Sequence, residues 1–305
     1  MSRDWDDLRY FLALAREGSV RSAASSLQVT HSTVSRRITA LEEKMATRLF
    51  DKTASGYVPT QAGEQMVVYA QRVEENVAEM ELAVQGIDEA PCGVVRVTTL
   101  EEITLGLAPL FERFRSGHSG ITLDIIPGTR RVDLALREAD AAIRLTNSPK
   151  ENLVGRRVAN MCIAPYASRE YLQSVAPDTP ITDLRWISWS DPMLKHPAVQ
   201  FIENNVSPNN IVLRVSTGVS GHASAVAGSG VAIMNCYVAD QDPRLQRVTE
   251  PNHDWDLGMW VVTHEDLRAT ARVRLFLEFM YTALGEQRDL IEGRKPLYPT
   301  WSQSV

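Results

Sequence analysis

Residues 18–50, GSVRSAASSLQVTHSTVSRRITALEEKMATRLF, restrict the fold more than any other stretch of this 305-residue chain. Ser19 can cap a first helix running to Leu27, its hydroxyl accepting from an otherwise unpaired first-turn amide. Ala23, Ala24 and Leu27 then share one face, and the two alanines allow another helix to approach closely. Gln28, Val29 and Thr30 form a short connection. Thr30 or Ser32 can cap a second helix, along which Val34, Ile38 and Leu41 recur at three- and four-residue spacing. That leaves His31, Ser32, Thr33, Ser35, Arg36 and Arg37 for the outer side, where hydroxyls, an imidazole and guanidinium forks can reach base edges and phosphates. The pattern predicts a helix-turn-helix. An ordinary helical hairpin with solvated arginines shares the spacing, so the flanking segments decide between them.

After Leu49 and Phe50 come DKTASGYVPT (51–60), two short segments around a Ser-Gly turn. A hairpin there makes a wing whose Lys52, Thr53 and Ser55 can touch backbone phosphate. Before the pair, Trp5, Leu8, Phe11, Leu12 and Leu14 supply the apolar stripe of a first helix. The expected unit is a compact winged domain of three helices.

At these residues the chain resembles the amino-terminal domain of LysR-type transcriptional regulators. The matching runs are LRYFLALA (8–15), GSVRSAA (18–24), VSRRITALEE (34–43) and LFDKT (49–53), closed by PTQAG (59–63). The resemblance implies a winged helix-turn-helix that binds double-stranded promoter DNA as part of a homodimer or homotetramer, with RNA polymerase as a further candidate partner. His31 stands where the family usually has glutamine, so the usual base contact does not transfer. Lys52 stands where it usually has arginine, which keeps the charge but loses the bidentate fork.

The net charge of −6 argues at first against a nucleic-acid partner. Its distribution reverses the objection: residues 1–62 carry nine basic and seven acidic side chains, and the remainder carries 23 and 31. Phosphate attraction depends on local charge as well as the total. A basic excess this small predicts modest binding by one domain, so pairing of domains should matter. No apolar run approaches the roughly 20 residues that span a bilayer, and MSRDWDDLRYF mixes acids into an amphipathic pattern rather than a secretory signal. The expectation is a cytoplasmic protein with no membrane partner.

From 62 to 87 the chain has no proline, and its glycines, Gly63 and Gly86, lie near the ends. Met66, Val73, Met80 and Ile87 recur every seven residues, interleaved with Ala70, Val77 and Val84. These are the two seam positions of a heptad pattern and predict a dimerisation helix. The alternative is a helix packed only on its own domain. In the family this segment is a linker helix that pairs antiparallel. The domains read as 1–62, winged helix-turn-helix; 63–90, linker helix; 91–290, a regulatory domain after Pro91 and Gly93; and 291–305, a tail of unassigned role.

Beyond residue 91 strands and helices alternate. Strands are expected at 93–99, 121–126 and 141–145, with helices at 107–115 and 131–138; a second group spans 161–164, 187–189, 211–215 and 231–234. A late strand at 258–263 and a helix at 273–284 complete the pattern. Such alternation implies a mainly parallel sheet covered by helices. The family resemblance continues through 107–115, VDL (132–134), EADAAIR (138–144), YASREYL (166–172) and AVAGSGVAI (225–233). It implies an α/β effector domain of two lobes like a periplasmic binding protein, lobe I about 91–160 and 264–290 and lobe II about 161–263. Crossovers then fall near 160 and 263, and a small-molecule effector occupies the cleft.

Candidate effector contacts are Thr98, Thr99 and Leu100 after the first strand, Thr146 and Asn147 after the third, and Ser216 and Thr217 before the helix containing 223–227. Hydroxyls and a helix amino terminus suit an anionic group, although the same hydroxyls can simply cap helices. Glu101 and Glu102 add carboxylates that repel an acid or favour a cation. Asn235 stands where the family usually has proline.

An enzyme is the main competing class, and the alternative reading is a small-molecule binding protein or hydrolase with a helical amino-terminal domain. The histidines at 31, 118, 196, 222, 253 and 264 show no HExxH, and there is no CxxC, GxGxxG or phosphate-loop lysine. Ser220-Gly221-His222 and His264-Glu265-Asp266 supply no nucleophile positioned with its base. No catalytic residue, metal or cofactor is assigned. Cys92, Cys162 and Cys236 read as structural, with a thiol switch like that of the family's peroxide-sensing branch as the alternative.

Overall fold

The computed structural model describes residues 5–53, 56–84, 91–128, 139–148, 153–176, 178–191 and 196–301. Ser55, Ile87 and the helix expected over 131–138 lie outside these residues, as do the side chains of Met80 and Val84. The chain forms two compact units, Met1–Glu89 and Ala90–Val305. Among the described residues no helix is long and apolar enough to cross a membrane.

The first unit runs α1 (Trp5–Glu17), α2 (Val20–Ser26), α3 (His31–Met45), β1 (Phe50–Thr53), β2 (Gly56–Pro59) and α4 (Gln61–Val84). Both expected caps form: Ser19 Oγ accepts from the Ser22 amide at 3.1 Å, and Thr30 Oγ1 from the Thr33 amide at 3.3 Å. Phe11, Leu12 and Leu14 meet Ala23, Ala24, Val34, Ile38 and Leu41 in one buried core. The wing docks on the α1–α2 turn, where the Gly18 carbonyl accepts from the Tyr57 amide at 2.7 Å. Gly56 sits there at φ +132°, and a Cβ on it would lie 2.3 Å from the Gly18 oxygen, so only glycine fits. Glu42 Oε1 fastens the other end by accepting from the Leu49 and Phe50 amides at 2.7 and 3.1 Å.

The heptad expectation for α4 needs correcting at its start. Ala70 is 1% exposed within the unit's own core and Met66 packs against that core, because the first turns of α4 lie on α1. Arg16 and Glu74 pair across the same contact at 2.5 Å. Val68, Tyr69 and Val73 are exposed and Val77 is half-buried.

The second unit begins with β3 (Gly93–Thr99), α5 (Glu101–Gly117), β4 (Ile121–Pro127), β5 (Ala141–Leu145) and β6 (Leu153–Met161). It continues through β7 (Ile163–Ser168), α6 (Arg169–Gln173), β8 (Trp186–Trp189), α7 (Pro197–Asn205), β9 (Ile211–Val215) and α8 (Gly218–Val226). Last come β10 (Val231–Asn235), α9 (Cys236–Ala239), β11 (Leu245–Arg247), β12 (Leu257–His264), α10 (Ala271–Glu286) and α11 (Arg288–Ile291). Two five-stranded sheets result, ordered β4-β3-β5-β12-β6 and β11-β7-β10-β8-β9.

Neither sheet is mainly parallel. β3, β4 and β5 run parallel, as do β8, β9 and β10, but β12 is antiparallel to β5 and β6, and β7 to β10 and β11. The added strands are those that carry the chain from one sheet to the other. Cys162 alone separates β6 from β7, so the first crossover falls there. β12 pairs with β6 from Leu257↔Met161 to His264↔Leu153, which puts the second crossover before Leu257 rather than near 263.

Core residues of the first lobe include Val97, Leu107, Phe114, Val261, Phe276 and Met280; Tyr166, Trp186, Ile187 and Ile202 fill the second. The tail packs on the second lobe: the Trp301 amide donates to the Arg247 carbonyl at 2.8 Å, and Arg169 lies 4.1 Å from the Tyr298 ring centroid.

Candidate nucleic-acid interface and ligand cavity

On α3, His31, Ser32, Ser35 and Arg36 are exposed and Thr33 is half-buried. The Ser32 and Thr33 hydroxyls each lie 2.9 Å from Thr30 Oγ1, grouping three hydroxyls at the helix start. Arg37 departs from the expected outer face: its Nη1 donates to Asp7 at 2.9 Å, and its guanidinium lies 5.6 Å from the Tyr10 ring centroid. Lys44 donates to the other Asp7 oxygen at 2.7 Å. Asp7 is 3% exposed; burial alone would raise its carboxyl, but these two cations hold it below the usual carboxylate range. On the wing Lys52 and Thr53 are exposed, and Thr53 Oγ1 donates to the Gly56 carbonyl at 3.1 Å, closing the hairpin.

Within the second unit, a cavity of about 290 Å³ opens between the sheets. Leu100, Ser216 and Thr217 line it as expected, with Thr217 Oγ1 capping α8 at 3.1 Å from the Ser220 amide. Four expected contacts do not line it. Thr98 and Thr99 are fully buried inside the first sheet, their hydroxyls without a partner among the described residues. Thr146 and Asn147 follow β5 and hold the turn that leads into β12: Asn147 accepts from the Gly258 amide at 2.9 Å and donates to the Asp256 carbonyl at 3.1 Å. The Thr146 carbonyl accepts from Trp260 Nε1 at 3.1 Å.

Trp189, Asp191, His196 and His222, unmarked by any local sequence pattern, also line the cavity. Trp189 closes β8, which is parallel to both neighbours, so the rule that ligands gather beyond carboxyl ends of parallel strands points to it. His196 caps α7 through Nδ1, 3.2 Å from the Ala198 amide, and burial lowers its pKa. Burial also lowers that of His222, partly offset by Asp242 at 3.2 Å. Glu102 lines the cavity, whereas Glu101 is exposed. Glu102 lies across Gly218, the first residue of α8; a Cβ on Gly218 would come 2.8 Å from its carboxyl carbon. Burial and the like charge of Glu101 raise the Glu102 pKa. Asn235 accepts from the Val238 amide at 3.0 Å and so starts α9. Cys162 and Cys236 are buried and Cys92 exposed; burial pushes both buried thiols up, Cys236 to about 12.

These two sites coincide with two family patterns. Residues 5–64 match the bacterial regulatory helix-turn-helix proteins of the lysR family, and residues 88–285 match the LysR substrate binding domain. The chain belongs to the LysR family. It is a LysR-type DNA-binding transcriptional regulator, in a family whose members bind small-molecule effectors and form oligomers. The regulator CrgA of Neisseria meningitidis serogroup C is 26% identical over 297 residues, 93% of this chain and 98% of that one. A regulator from Xanthomonas campestris is 32% identical over 174 residues, and there the match spans about half of each protein, 57% of this chain and 51% of that one. The solved structure of N. meningitidis CrgA superposes with a TM-score of 0.55 at 25% identity, covering 93% of this chain and all of that one. Full-length OxyR from Pseudomonas aeruginosa shares the fold, with a TM-score of 0.61 at 16% identity over 93% of this chain and 98% of that one.

Proposed function

We propose that this LysR-type regulator binds promoter DNA through α3 and the wing, as a homodimer or homotetramer joined along α4, and that a small molecule in the cavity alters its fit to two half-sites. One observation carries the reading: a single cavity is walled by both sheets, with Leu100 and Glu102 on one side and Ser216 and Thr217 on the other. A ligand touching both walls favours the lobe arrangement that brings them together, to the extent of its differential affinity. His31, Ser32, Thr33, Ser35 and Arg36 are the proposed base and phosphate readers, and Lys52, Thr53 and Ser55 the phosphate contacts of the wing. Val73, Val77, Met80, Val84 and Ile87 are the proposed dimer seam.

The cavity's chemistry narrows the effector. Glu102 covers the amino end of α8, the ground an acid group would take, so a protonated amine or a neutral polar group suits that end. Leu105, Leu145, Val199 and Ile233 suit an apolar body. His196 and His222 are engaged in capping and in facing Asp242, which favours binding over turnover. The protein acts in the cytoplasm, with RNA polymerase as its partner at the promoter.

A gel shift with DNA upstream of its own gene tests this. A sequence-specific shift, modulated by an amine that binds the cavity, is the expected result. No specific shift, together with turnover of a small substrate, would instead support a hydrolase carrying a helical amino-terminal domain.

A further inference from the structure

Away from the cavity, three unlike ligand types converge where the chain crosses between sheets. Cys162 is the single residue between β6 and β7, on the outgoing crossover. His253 begins a one-turn 3-10 helix on the returning crossover, and Asp256 ends that turn immediately before β12. Cys162 Sγ lies 3.3 Å from Asp256 Oδ2 and 3.8 Å from His253 Nδ1, and these last two atoms are 2.9 Å apart. A tetrahedral zinc ion with Zn–S of about 2.3 Å and Zn–N and Zn–O of about 2.0–2.1 Å holds such atoms about 3.5, about 3.5 and about 3.3 Å apart. The three side chains therefore already approximate one face of that tetrahedron.

We propose that Cys162, His253 and Asp256 form a binding site for a borderline-soft divalent cation of the zinc type, bridging the two crossovers of the regulatory domain. Cys162 binds as thiolate, releasing its proton to solvent; His253 binds through Nδ1 and Asp256 through Oδ2. A thiolate, an imidazole and a carboxylate are ligands zinc accepts together, whereas magnesium and calcium call for oxygens. The second Asp256 oxygen, Oδ1, is buried without a hydrogen-bond partner among the described residues. The trio faces a surface pocket of about 310 Å³ lined also by Asn160 and Glu292, from which a hydrated ion can arrive and keep one water as fourth ligand. Ligands from both crossovers make the ion a clip between the chain segments that join the lobes.

The test titrates the chelator-treated full chain with zinc against a chromophoric zinc indicator, and separately with cobalt followed by absorption. The expected result is one ion per chain and a near-ultraviolet thiolate-to-cobalt charge-transfer band. Cys162→Ser abolishes the band, and His253→Ala weakens zinc binding about a hundredfold or more, a loss at least as large as that from removing an outer-shell partner. Cys92→Ser changes neither. Because Cys162 is buried, the His253 variant, whose ring is 78% exposed, carries the test if the serine variant does not fold. Absence of stoichiometric binding overturns the proposal. So does cobalt bound without the charge-transfer band, or affinity unchanged in His253→Ala.

Discussion

Arg37 Nη1 lies 2.9 Å from the buried Asp7 carboxylate, so one of the two adjacent arginines of α3 is half-buried and tied to α1 while Arg36 remains exposed. The neighbours should therefore separate in function. Arg36→Ala is expected to weaken specific DNA binding by about 1–3 kcal/mol at unchanged melting temperature. Arg37→Ala should destabilise the unit by about 1–3 kcal/mol, because a buried carboxylate loses one of its two cations. Fluorescence anisotropy on operator DNA and thermal melts read the two effects; equal melting losses in both variants would contradict the division.

The same pair sets an acid limit on stability. Lys44 and Arg37 outweigh burial and depress the Asp7 pKa, so its contribution is fully present above the unfolded value of about 3.9. It is lost as pH falls through the lower native value. Asp7→Asn should cost most at pH 6, and its gap from the wild type should close below about pH 4. Denaturant titrations across pH 3–7 measure that gap; a gap that widens in acid would contradict the assignment.

How much of this was readable in the sequence follows the range of each interaction. The caps at Ser19 and Thr30 and the stripe Val34, Ile38, Leu41 are local, and they form as their spacing predicts. Arg37 was not legible because its partner lies thirty residues earlier, on another helix. Ala70 falls at a seam position yet is buried on its own domain, since a heptad records apolar spacing and not which surface it meets. Asn147 has the polarity of a ligand contact, but its amide is committed to residues more than a hundred positions away. His253 and Cys162 are 91 apart, beyond any motif spacing.

Glu102 against Gly218 predicts how the cavity discriminates charge. Glu102→Gln removes the carboxylate that lies across Gly218 at the start of α8. Ligand-induced melting shifts should then favour an aryl-alkyl amine over the matching carboxylic acid in the wild type, and lose that preference in the variant. Because the Glu102 pKa is raised, its charged form costs stability as pH rises through the native value. The substitution should accordingly stabilise more at pH 8 than at pH 5. An unchanged preference would remove Glu102 from the binding wall.

Tyr166, Asp240 and Arg247 form a buried ionic network under the tail. Arg247 and Asp240 side chains are 2% and 1% exposed; Tyr166 donates to Asp240 at 2.7 Å, and Arg247 reaches the Gly293 carbonyl at 2.6 Å. Arg247→Met leaves a buried carboxylate unpaired and should cost roughly 3–5 kcal/mol. Adding Asp240→Asn should recover part of the loss, giving a coupling energy in a double-mutant cycle followed by urea melts. Additive losses would show that the two side chains act separately.

The half-buried Val77 and exposed Val73 of α4 separate dimerisation from folding. Among the described residues neither belongs to the winged unit's own core, whereas Ala70 is enclosed in it. Val77→Asp introduces a charge into the proposed seam, where desolvation opposes association. Sedimentation should show dissociation toward monomer, with the melting of the winged unit retained. Ala70→Asp should instead unfold that unit, because the carboxylate enters a closed core. If Val77→Asp left the oligomer intact in sedimentation, pairing along α4 would be wrong and the subunits would join elsewhere.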